Sequence, residues 1–180
     1  MQKPIKILAI TGSTRKNSSN YKILQFISEN IETQFEVEIF EDLDELPHFN
    51  PDLDTENPSE KILSFRNKIA QTDGIIICTP EYVFSLPGSL KNALEWCVST
   101  TIFSKKKVGL ITASASGEMA HEQLVLIMKT LEAQFKDENQ LLIQGVRGKI
   151  NDEGKITNEE TLNSLQKFIH DFENQFLNEM

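Results

Sequence analysis

Cysteine, histidine and long apolar runs are all scarce in this chain, and each scarcity closes off a class of function. Only Cys78 and Cys97 are present. They form no CxxC pair and share no ligand spacing with His48, His121 or His170, so neither a disulfide framework nor a metal centre is expected. Both thiols fall in apolar surroundings, which favours inert buried groups over nucleophiles. No apolar run approaches the ~18 residues needed to span a membrane, and Met1-Gln2-Lys3-Pro4 leads into a short apolar stretch with no charged leader and signal core. A reduced, cytoplasmic protein without membrane insertion is expected. Positive charge is also in deficit: Lys and Arg number 18 against 27 Asp and Glu, a formal charge of −9. That field repels nucleic acid, so no nucleic-acid partner is expected, and a phosphate site must bring its own local donors.

What is present is a regular alternation of patterns. At 180 residues and 39% hydrophobic content the chain suits a single domain, 1–180, with a sizeable core. Ile5 to Thr11 reads as a strand, Ile23, Leu24, Ile27 and Ile31 as a helix face, and Phe35 to Phe40 as a strand of period two. The acidic segment 41–57, with Pro47 and Pro51, reads as an exposed connection, long enough to be a candidate partner surface. Asn57-Pro58-Ser59-Glu60 opens a helix carrying Ile62, Phe65 and Ile69, with Asn57 as cap and Pro58 at its first position. Asp73 to Thr79 is a continuous apolar run, expected of a strand buried on both faces. Helix 87–97, strand 107–113, a helix around Leu124 to Leu131, strand 139–143 and a last helix begun by a Thr157–Glu160 capping box complete the series. Such alternation predicts an α/β, flavodoxin-like three-layer sandwich with a five-stranded parallel sheet of order 2-1-3-4-5.

In that order, ligands sit outside the carboxyl ends of the first and third strands. After the first strand comes Gly12 to Asn20, GSTRKNSSN. Glycine permits a sharp turn through positive φ, the next helix points unpaired N–H groups back at the turn, and the Arg15 fork suits two phosphate oxygens. Ser18, Ser19 and Asn20 taken singly are equally well read as helix caps. After the third strand, Pro80 to Gly88 offers main-chain donors, Tyr82 and Phe84, and suits a flat ligand. Glu81 reads as a solvated or helix-facing carboxylate. The loop Ala113 to Met119 lies beside these two. There is no GxGxxG, no GK[ST], and no carboxylate at Thr11 or Thr79, where a phospho-acceptor domain of this architecture needs one.

Gly12-Ser13-x-Arg15-x-x-Ser18-x-Asn20, Pro80-Glu81-Tyr82, and Ser85-x-Pro87-Gly88-x-Leu90-Lys91-Asn92-Ala93 with Trp96 together resemble the NADPH-dependent FMN reductase family, which includes quinone, azo-dye and chromate reductases. The resemblance implies non-covalently held FMN, reduced by NADPH or NADH and reoxidised by a small acceptor such as a quinone, free flavin, azo compound or metal oxyanion. It also implies a homodimer or homotetramer with the flavin near a subunit interface. It carries phosphate contacts to Ser13, Arg15, Ser18 and Asn20, and ring contacts to Pro80, Glu81 and Tyr82, with Ser114 and Ser116 alongside. Val83, in the same ring-contact loop, stands where many members have Asn, so a side-chain hydrogen bond to the ring edge is expected to be missing. No side chain is expected as catalytic acid or base, the main chain around Glu81 and Tyr82 serving instead. The rival is a flavodoxin-type carrier that binds FMN without oxidising NAD(P)H. The acidic surface suits it, whereas Arg15 and the second motif do not.

Overall fold

The computed structural model describes residues 3–177. Within them β1 (Ile5–Thr11), α1 (Ser19–Asn30), β2 (Phe35–Phe40), α2 (Glu60–Ala70), β3 (Gly74–Thr79), α3 (Gly88–Glu95), β4 (Lys107–Ala113), α4 (Glu118–Thr130), β5 (Gln140–Ile143) and α5 (Glu159–Leu177) follow one another. The strands form one parallel sheet in the order β2-β1-β3-β4-β5, the flavodoxin-like order expected from the alternation. Alternate residues of each strand point to opposite faces. Leu8, Ile10, Ile75, Ile77, Val108 and Leu110 pack under α2, α3 and α4, while Ile7, Ala9, Ile76, Cys78 and Ile111 pack under α1 and α5. β3 lies mid-sheet and is buried at every position, which is why it carries an unbroken apolar run.

Helix starts differ from the sequence reading by a residue or two. The cap of α2 is Ser59, and Asn57 instead receives its neighbourhood's turn through a bond from its own N–H to Thr55 Oγ1. For α5 the capping side chain is Asn158, whose Oδ1 accepts from Thr161 N at 2.9 Å. Thr157 is held outside the helix because its N–H donates to Lys149 O, beside an antiparallel bridge between Ile150 and Ile156.

The 41–57 segment is less free than its composition suggests. Its acids other than Asp54 face solvent, but Leu43 and Leu46 are buried. Trp96 Nε1 and Asn92 Nδ2 both donate to Pro47 O, at 2.8 and 3.0 Å, and the Phe49 ring meets Trp96 edge-on. Arg66 pairs with Asp54 at 2.6 Å, both side chains almost wholly buried. Burial pushes the Asp54 carboxyl up, but hydrogen bonds from Arg66 and Ser99 outweigh this and hold it below its ordinary value.

The register sets up the ligand edge. Thr11 lies level with Cys78, and Thr79 with Thr112, so β1, β3 and β4 end together. Gly12 N donates to Cys78 O at 2.8 Å. A Cβ on Gly12 would stand 2.3 Å from Thr79 Oγ1, so glycine is required here by close approach. The turn expected at Gly12 through positive φ is made instead at Asn17, with φ of 57°.

Candidate functional site

A cleft of about 430 Å³ opens at the carboxyl edge of the sheet, within the size range of small-molecule sites. Four successive loops line it: Ser13, Arg15, Ser18, Ser19 and Asn20 after β1; Pro80 to Tyr82 after β3; Ala113 to Ala115 after β4; and Gly145 to Arg147 after β5.

The β1 loop is folded around hydroxyls. Thr11 Oγ1 accepts from Ser13 N at 3.4 Å, and Ser13 Oγ accepts from Arg15 N at 3.3 Å. Ser18 caps α1, its Oγ accepting from Tyr21 N at 3.1 Å, so the capping role weighed for it is real. The first turn of α1 contains no acid, which leaves the positive end of the helix dipole open to the cleft. Arg15 is exposed and has no carboxylate partner among the described residues. Asn20 is only 3% exposed; Nδ2 donates to Ala113 O at 3.2 Å and Oδ1 accepts from Cys78 Sγ at 3.3 Å. It ties the start of α1 to the ends of β4 and β3.

The β3 loop is a tight hairpin. Tyr82 N donates to Ser85 O at 3.0 Å and Ser85 N to Tyr82 O at 3.1 Å, with Val83 and Phe84 between them at φ of 52° and 55°. Two left-handed central residues define a type I′ turn, a geometry that favours Asn and Gly and strains a β-branched side chain. Gln123 of α4 clamps it, accepting from Ser85 Oγ at 2.7 Å and donating to Phe84 O at 3.2 Å. Val83 is 94% exposed and Phe84 73%, so both side chains point away from the cleft, whereas Tyr82 lines it. Within this loop the N–H groups of Glu81, Val83 and Phe84 have no partner among the described residues. The Glu81 carboxylate does face a helix. It accepts from Gly117 N at 3.1 Å and Ala120 N at 3.0 Å, capping α4 where Gly117, at φ of 91°, offers no side chain of its own.

Ser114 lines the cleft and donates to Glu81 O at 3.5 Å, while Ser116 is exposed and lies outside the lining. The sequence reading stopped at this loop and missed Gly145, Val146 and Arg147. The one available signal was Gly145-Val146-Arg147-Gly148 directly after the last strand, a glycine-framed arginine at the same sheet edge. Gly145 N and Val146 N donate to Ala115 O and Ser114 O, fastening this loop to its neighbour. His121 stands behind the β4 loop with Nδ1 3.0 Å from Thr112 Oγ1, and burial lowers its pKa although Glu122 opposes the shift. Burial pushes the Cys78 thiol far up and Cys97 up to about 12. Among the described residues no cluster of metal-binding side chains occurs, and no helix is long and apolar enough to cross a membrane.

Comparison with known proteins places these loops in a family. The profile of the NADPH-dependent FMN reductases matches residues 5–147, a span that includes every loop of the cleft. The chain belongs to the NADPH-dependent FMN reductase family. Among its relatives is an NADH:(hydroxy)cinnamate reductase subunit of Vibrio ruber, 32% identical over 171 residues, covering 92% of this chain and 84% of the relative. A 2-hydroxy-1,4-benzoquinone reductase of a Burkholderia species is 29% identical over 171 residues, covering 92% of each. The solved structure of the NAD(P)H:(acceptor) oxidoreductase FerB from Paracoccus denitrificans superposes with a TM-score of 0.78 at 27% identity, over 93% of this chain and 94% of that one. FMN reductase membership accounts for the position of the cleft at the β1/β3 border, where the sheet order reverses.

Proposed function

We propose that this chain is a single-domain NAD(P)H-dependent flavoprotein reductase that holds FMN in the four-loop cleft and delivers electrons to a small planar acceptor of the quinone, flavin or hydroxycinnamate kind. The observation that carries the reading is one cleft, within the span matched by the family profile, that brings together Arg15, the acid-free N-terminus of α1 and Tyr82. The residues fit the group. Arg15 is a guanidinium without a carboxylate partner among the described residues, the α1 N-terminus has no acid in its first turn, and Gly12 lets β1 and β3 close up beneath the slot. FMN bound there supplies a carrier that takes a hydride from NAD(P)H and passes electrons to the acceptor.

The chain's own part is binding and orientation. Ser13, Arg15, Ser18, Asn20 and the first N–H groups of α1 hold the phosphate, and Asn20 also sets the helix against β3 and β4. Pro80, Glu81 and Tyr82 form the ring wall, with the free Glu81 N–H directed to the ring's polar edge. Ser114 lines the opposite side. Tyr82, half exposed, supplies a flat face for the incoming partner. No side chain acts as acid or base. The enzyme works in the cytoplasm as a homodimer or homotetramer, a reading supported by reduced buried thiols and by exposed Val83, Phe84, Met119 and Leu126 on the β3 turn and α4.

The test is an anaerobic visible spectrum of the FMN-loaded protein before and after a slight excess of NADPH, then NADH. Prompt bleaching of the flavin band is expected. A flavin that stays oxidised with both donors yet bleaches with dithionite would favour an electron carrier, and failure to bind FMN would refute the site. Light scattering at micromolar concentration reads the oligomer.

A further inference from the structure

We propose that Arg147 is a second phosphate-binding guanidinium of this cleft, acting with Arg15 on the 5′-phosphate of FMN. The inference rests on the FMN reading above and adds a residue outside both sequence motifs.

Charge motivates it. A phosphate monoester carries about −1.5 to −2 near neutral pH, and it must enter a protein of formal charge −9. Of the side chains lining the cleft, only Arg15, Arg147 and Glu81 are ionisable at neutral pH. Glu81 is turned to the N-terminus of α4, where two N–H groups bond its two oxygens. One arginine alone would leave the dianion half compensated, and two match it. Both guanidiniums are also available. Lys61, Arg66, Lys68, Lys91, Lys136 and Lys167 each pair with a carboxylate, whereas Arg15 and Arg147 pair with none among the described residues.

Placement supports the phosphate end over the ring end. Although β5 is the sheet edge farthest from β1, the start of α1 reaches the end of β4 through Asn20, bonded to Ala113 O. Lys22, in the first turn of α1, donates from Nζ to Asn151 O and Asp152 O at 3.1 and 3.0 Å, just downstream of Arg147. The β5 loop therefore stands beside the helix N-terminus that faces the phosphate. The arginine is rigidly presented, because Gly145 at φ of 62° starts a short turn closed by Gly148 N to Gly145 O at 3.1 Å and Lys149 N to Val146 O at 3.0 Å. Two further bonds hold that turn to Ser114 and Ala115.

Riboflavin, which lacks the phosphate, separates this role from a structural one. The flavin-stripped full chain is titrated with FMN and with riboflavin by fluorescence quenching, for wild type, Arg147→Ala, Arg147→Gln and Arg15→Ala. Loss of a charge-assisted contact should raise the FMN Kd roughly ten- to a hundredfold in both Arg147 variants, with riboflavin changed by less than about twofold. The side chain is exposed, so folding should be untouched, and Arg147→Lys should recover part of the affinity. Wild-type FMN affinity in Arg147→Ala overturns the proposal, as does an equal loss for both flavins. Unchanged FMN binding with a raised KM for NADPH but not NADH would assign Arg147 to the dinucleotide, which also overturns it. If Arg15→Ala binds FMN normally, the phosphate cradle itself is wrong, whatever Arg147 does.

Discussion

The carboxylate of Glu81 receives the backbone N–H of Gly117 at 3.1 Å, joining the loop after β3 to the start of α4. A second bond from Ala120 N at 3.0 Å makes Glu81 the cap of a helix whose N-cap, Gly117, lies 36 positions further along the chain. Because Glu81 lines the cleft, the position of that wall is set by α4 as well as by β3.

Glu81→Ala should therefore loosen both. Loss of a capping acceptor costs about 1–2 kcal/mol, or roughly 2–8 °C in Tm for a domain of this size. FMN should dissociate faster, since the wall loses its anchor. Glu81→Gln, which keeps one acceptor oxygen, should fall between. Calorimetric melting reads the first effect, and an unchanged Tm in the alanine variant would show that the cap is not formed in solution.

Val83 should be better replaced. Its left-handed φ of 52° costs an L-residue roughly 1–2 kcal/mol, and asparagine tolerates that region far better. Val83→Asn is expected to raise Tm by about 1–4 °C without disturbing the hairpin bonds between Tyr82 and Ser85. A lower Tm would mean that the turn is not type I′.

Acid should weaken the fold through His121. Burial holds its pKa below 6.5, so the unfolded chain binds the proton more readily than the native one. Stability is then full above pH 6.5 and declines as pH falls from there towards the lowered native value. Urea denaturation between pH 8 and 5 should show this decline in wild type and a shallower one in His121→Gln. Equal slopes would remove His121 as its source.

Neither cysteine should react in the native state. Both are buried and both thiols are pushed up, Cys97 to about 12 and Cys78 beyond it. A thiol reagent should count none over minutes in buffer and two in denaturant. A fast native reaction at Cys78 would mean that its contact with Asn20 opens readily.

The sequence by itself determined the elements and the architecture, because hydrophobic periodicity is local. Ile75 to Cys78 must be a doubly buried strand, Leu165 to Phe176 must be one helix face, and their alternation admits few sheet orders. It also determined the two motif-bearing loops, since a strand that ends in Thr11 or Thr79 at the ligand edge leaves its loop there. Tertiary structure alone decided how those residues are used. Asn20 reads as a phosphate donor or a cap in the sequence, and the fold adds a further use, because Ala113 O and Cys78 Sγ, brought up by two other strands, both bond its amide. Gly12 looks like a flexible turn, yet it answers the nearness of Thr79. Arg147 carries no motif, and only the bonds of its turn to Ser114 and Ala115 bring it to the cleft. Burial patterns repeat within a few residues and can be read along the chain. Hydrogen-bond partners and charge balance depend on groups far apart in sequence, and only the closed sheet brings them within reach.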